Sequence, residues 1–251
     1  GTDGWWYYQT SGNGNRKRPD CSAQANIIHF NNANQLAMNL NDPFDFTANQ
    51  VLFETGTGDR TIGTDAGKSL YFKQNNGNAK IENLAPVTTQ TFDVKINIDA
   101  AAQMEINPVG GYLVFNNSII NASPNPILVW GNPGPAYTGD NVYFNGDISG
   151  TAGITINQNA TVVYDVVQKT YTGPTTINAG TFLQIKSNQT LGDVYAYGTI
   201  TVDAGVTLTI TGTWTGGGTI VNNGTIVLAG SAAQSFPGSS ATVSAMNNLT
   251  I

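Results

Sequence analysis

The chain has 251 residues, of which 40% are hydrophobic and only 10% charged, so it is neither a disordered polar tract nor a charge-coated globule. Its net charge of −6 disfavours nucleic acid as a partner, because that ligand demands a basic face to displace counterions. A single cysteine, Cys21, excludes an internal disulfide, and no apolar run approaches the length of a membrane span. The polarity comes from 30 Asn, 31 Thr and 29 Gly, residues that favour strands and tight corners over helices.

In chain order, residues 1–25 read as an N-terminal cap and residues 26–251 as one repetitive β domain. Trp5, Trp6, Tyr7 and Tyr8 form the most unusual cluster. Aromatics there close the end of a repeat stack; the competing reading makes them glycan contacts, with Arg16, Lys17 and Arg18 nearby for acidic sugars. Cys21 reads as a small buried hydrophobe. His29 lies in the apolar run Ile27 to Phe30, and no Gly-x-Ser-x-Gly elbow accompanies it, so its role is structural.

Val51-Leu52-Phe53 is echoed by Leu70-Tyr71-Phe72 nineteen residues on, and Leu113-Val114-Phe115 by Val142-Tyr143-Phe144 after twenty-nine. Ala66-Gly67-Lys68-Ser69 resembles the end of a phosphate-binding loop, but Ile62 stands where that loop needs glycine. Arg60, Lys68, Lys73 and Lys80 lie near Asp59, Asp65 and Glu82, a mixture that stacked coils could gather into a lyase-like basic site; a mixed-charge face is the plainer reading. The best helical candidate, Ala100 to Met104, is only a few residues long. Residues 124–135 hold four prolines and read as an excursion from the coils.

The second half repeats openly. Thr176-Ile177, Thr199-Ile200 and Thr219-Ile220 recur at spacings of 23 and 20, with a parallel series at Phe182–Ile185, Val206–Ile210 and Thr225–Leu228. Val206, Leu208 and Ile210 alternate with Thr207 and Thr209, the period of a half-buried strand. Asn178-Ala-Gly180, Asp203-Ala-Gly205 and Asn222-Asn-Gly224 supply turns between strands. Asp59, Asp140, Asp147 and Asp193, each after glycine, lack the register of calcium-binding repeats and read as solvated turn residues. This rhythm predicts an all-β, right-handed parallel β-helix (a β-solenoid) of about 20 residues per coil and roughly eleven coils, a rod about 50 Å long. The pattern stops within a strand at Ile251, so a C-terminal truncation and end-to-end association are expected.

Ile148-Ser-Gly-Thr-Ala-Gly153 with Tyr171-Thr-Gly-Pro-Thr-Thr-Ile-Asn-Ala-Gly-Thr181 resembles the passenger-associated repeat of bacterial autotransporters. Gly230-Ser-Ala-Ala-Gln-Ser-Phe-Pro237 with Asn248-Leu-Thr-Ile251 is similar to a pattern in large secreted surface proteins of the Bacteroidetes. These resemblances imply a β-helix displayed outside the cell, and they carry no catalytic residues. The expected function is a structural or adhesive segment of a secreted or surface-anchored repeat protein. No catalytic, cofactor or metal site is expected, and the expected partners are glycans or proteins. The alternatives are a carbohydrate-binding module and a polysaccharide-lyase-like enzyme.

Overall fold

The computed structural model describes residues 27–30, 37–40, 46–64, 68–74, 77–131, 141–234, 236–237 and 241–251. Every strand pairing among them is parallel, no helix is present, and coils of about 23 residues wind through about eight turns as a β-solenoid. The first sheet stacks nine strands, from Ile27–Phe30 to Trp214–Thr215. A second sheet starts at Ala37–Leu40, and a third of five strands ends at Ile148–Gly150. At one strand spacing per coil the stack is about 40 Å long. Coils longer than the expected twenty residues reduce the number from eleven, and residues 1–25, read from sequence as a cap, lie outside the described residues.

Alternation builds each face. Thr207–Ile210 buries Leu208 and Ile210 and turns Thr207 and Thr209 outward, and most strands share this pattern. Inside, aromatic rings continue from coil to coil. Phe30 stacks on Phe53 at 4.8 Å, and Phe53 meets Phe92 edge-on at 6.0 Å. Phe92, Phe115 and Phe144 then stack at 5.0 and 5.2 Å, and Tyr164 caps the row at 6.2 Å. Phe92, Phe115, Phe144 and Tyr164 share one register column of the second sheet, which continues as Ile185, Val202 and Asn222, so aromatics give way there to aliphatic side chains and then to a buried amide.

Register sorts the sequence echoes. Leu113 does stack on Val142, and Thr199 on Thr219. Val51, however, stacks on Ile81 in the first sheet, while Leu70 stacks on Ile96 in the third, so this echo runs from face to face within a coil. Thr176 likewise stacks on Tyr195, and Phe182 stacks on Thr199 rather than joining the series of Val206. Two turns stand as expected, with Gly180 and Gly205 both at φ +78, where a Cβ is unfavourable. Asn222-Asn-Gly224 is instead the corner of one ten-residue strand, Thr219–Leu228, whose first half pairs with Thr199–Val202 and second half with Thr207–Ile210. Within the proline-rich stretch, Ile127–Trp130 is a strand of the first sheet, and residues 132–140 lie outside the described residues.

Candidate functional site

Corner chemistry accounts for much of the Asn and Asp. Buried Asn83, Asn121 and Asn222 each accept the amide of the residue two positions on: Ala85, Ser123 and Gly224, at 3.1 Å. Their amide groups donate to backbone carbonyls, including Asn248 at 2.8 Å for Asn222. The turn aspartates, read from sequence as solvated, act between coils. Asp59 accepts the Thr89 amide at 2.8 Å, Asp147 the Thr170 amide at 2.8 Å, and Asp193 the Thr213 amide at 2.7 Å. Asn188 does the same for Thr207 at 2.8 Å. Among the described residues no three His, Cys, Asp or Glu side chains gather into a metal site.

The third face is interrupted after Ile148–Gly150. The next coil has no strand there; amides of Thr170, Tyr171 and Thr172 instead bond the carbonyls of Ile148 and Gly150 at 2.9–3.0 Å. Pro174 lacks the amide that a ladder needs. Lys169 fills this break, 1% exposed, with Nζ donating to the carbonyls of Asp165 (3.2 Å) and Val167 and lying 5.6 Å from the Tyr164 ring centre. Burial lowers its pKa to about 8, against the opposing pull of Asp147 and Asp165. The Lys169 amide donates to Gln189 Oε1 at 2.8 Å, and Gln189 Nε2 to the Val167 carbonyl at 3.2 Å, tying the break to the following coil. The Tyr164 and Tyr171 hydroxyls pair at 2.9 Å, and Tyr171 continues to Thr175. Burial raises the Tyr164 pKa and pushes Tyr171 up to about 12. Every polar group named here has an internal partner, so the cluster acts as a structural plug.

Trp5, Trp6, Tyr7, Tyr8 and Cys21 lie outside the described residues, as do Asp65 and Asp140. His29 sits in the first strand, paired in backbone register with Leu52. The basic residues do not converge. Arg60 lies buried on the second sheet, its guanidinium without a hydrogen-bond partner among the described residues and its pKa lowered by burial. Lys68 and Lys73 flank the third-sheet strand Ser69–Phe72. Lys80 lies on the first sheet, 3.5 Å from Glu82. The same strand assignment at Ser69 removes the helix that a phosphate-binding loop requires.

The outer face of the first sheet carries a polar ladder instead. Asn107 donates to Glu82 Oε1 at 3.3 Å, Asn78 to Glu105 Oε1 at 2.7 Å, and Asn178 to Asn157 Oδ1 at 2.7 Å. Trp130 interrupts it, paired in register with Asn157. A groove of about 220 Å³ opens there, lined by Glu105, Asn107, Val109, Trp130, Gly131 and Gln158. Gly131 forms part of its floor: a Cβ would fall 2.3 Å from the Gln158 carbonyl, in a corner where Gln158 and Asn159 have φ of +41 and +60. Sequence reasoning passed over Trp130 because it sits among prolines. The alternation of Ile127-Leu-Val-Trp130 was the signal that turns it outward.

The fold therefore defines a β-solenoid with an aromatic row inside and a polar ladder on the outer face of its first sheet. No protein-family model, curated protein or solved structure matches the chain significantly.

Proposed function

We propose that this β-solenoid is a structural and adhesive segment of a secreted or surface-anchored bacterial repeat protein. The observation that carries the reading is one uninterrupted core running through about eight coils, closed at its corners by amide and carboxylate brackets. Such a body is held by nearest-neighbour stacking, so its outer faces are free to vary and to bind. The resemblance to autotransporter passenger repeats and Bacteroidetes surface proteins supports an extracellular setting, as does the absence of charge after Asp203. Among the described residues no helix is long and apolar enough to cross a membrane.

The test is exposure on intact cells. An antibody raised against this segment labels unpermeabilised bacteria, and the segment resists trypsin at concentrations that shave unstructured surface proteins. Labelling only after permeabilisation, or rapid digestion of the purified protein, contradicts the proposal.

A further inference from the structure

We infer that the groove at Trp130 binds one ring of a neutral polysaccharide chain, an inference that rests on the adhesive reading and names its ligand class. Three observations converge. First, Trp130 is the aromatic residue among the six that line the groove, beside a carboxylate and two amides. A pyranose presents an apolar C–H face to an aromatic ring and hydroxyls around its edge that both donate and accept, and this lining supplies partners for each.

Second, the hydrogen-bonding capacity is unspent. Trp130 Nε1 and Asn107 Oδ1 are buried and have no hydrogen-bond partner among the described residues. A buried indole N–H or amide carbonyl without a partner costs about 1–3 kcal/mol. One unpaired donor and one unpaired acceptor beside the same groove fit a hydroxyl, which serves both.

Third, charge and size select among sugars. Glu105 lines the groove and Glu82 bonds its wall at Asn107, while Lys80 is engaged with Glu82. A uronate, sulfate or phosphate would meet the Glu105 carboxylate, whose register neighbour Lys80 is engaged with Glu82, so the ligand is neutral. At about 220 Å³ the groove is smaller than the roughly 300–1,000 Å³ usual for drug-sized ligands. It holds one ring, and the remainder of the chain runs along the outer ladder of the first sheet.

The purified chain is titrated with soluble xylo-, cello-, malto- and chito-oligosaccharides, with polygalacturonate and an arginine-rich peptide as counter-ligands. Binding to at least one neutral series is expected, weakened tenfold or more by Trp130→Ala, severalfold by Gln158→Ala and Glu105→Gln, and only partly by Trp130→Phe. Circular dichroism confirms that each variant keeps its β signal; should Trp130→Ala fail to fold, Gln158→Ala and Glu105→Gln carry the test. Absence of binding to every neutral series, binding that survives these substitutions, or preference for polygalacturonate or the peptide overturns the inference. None of these outcomes alters surface labelling or trypsin resistance, so failure here is distinguishable from failure of the scaffold reading.

Discussion

The N-terminal coils and the C-terminal coils solve the same packing problem with different side chains. Before Gly150 the coils are long: Gln50 stacks on Lys80, thirty residues later, and Tyr112 on Asn141 after twenty-nine. Their interior holds the ring contacts from Phe30 to Phe144. Beyond Tyr164 the coils shorten, with Thr175 stacked on Val194 after nineteen residues and Thr199 on Thr219 after twenty, and Ile185 and Val202 occupy the same column. Close packing links the two trends: a longer circuit encloses more volume, and only larger side chains fill it without voids. Lys169 and the Tyr164–Tyr171 pair stand where the coils shorten and the third face lacks a strand.

The largest expected effect tests the wide half. Phe115→Ala removes a ring stacked on both sides and destabilises by about 3–5 kcal/mol in urea unfolding. A loss below 1 kcal/mol contradicts a core filled by that row. Next comes the junction. The folded-state pKa of Lys169, about 8, lies below its ordinary 10.5, so the folded state holds fewer protons between those values and stability rises with pH across that window. The full gain is about 3 kcal/mol. Tyr164 and Tyr171 have raised values, so their contribution is intact up to pH 10 and is lost above it. Urea midpoints measured from pH 7.5 to 9.5 therefore climb in the parent protein and stay flat in Lys169→Met. Equal slopes refute the assignment.

The narrow half gives the converse. Ile185→Phe extends the aromatic row by one coil into a space too small for it, at a cost of about 1–3 kcal/mol. A stabilised Ile185→Phe variant shows that coil length does not set the fill. The smallest effect is common to both halves: Asp59→Ala and Asp193→Ala each remove one exposed coil-to-coil bond and cost about 1 kcal/mol. A marked inequality between them reveals a difference at the corners that the shared geometry does not contain.

Alternation, turn residues and strand composition made the β-solenoid legible, because inward and outward positions leave a period of two in every strand. Coil length was less legible. The faces of one coil are built from similar Ile, Thr and Phe patterns, so the nineteen-residue offset from Val51 to Leu70 mimics a repeat while stepping to another sheet. The binding groove was hidden for a related reason. Trp130, Glu105 and Gln158 come from successive coils, and only register brings them to one place. Lys169 carried no sequence signal for burial, since its acceptors are backbone carbonyls.

Register is the central claim, and paired cysteines read it directly. Thr199 and Thr219 are Cα partners on the outer face of the second sheet, whereas Thr176 and Thr199 share a sequence echo but lie in different sheets. Adjacent parallel strands sit about 4.8 Å apart, within the Cα separation of about 4.4–6.8 Å that a disulfide spans. In a Cys21→Ser background, mild oxidation of Thr199→Cys/Thr219→Cys consumes both thiols within the monomer, and Thr176→Cys/Thr199→Cys keeps both. Cross-linking of the second pair in place of the first contradicts the stacking described.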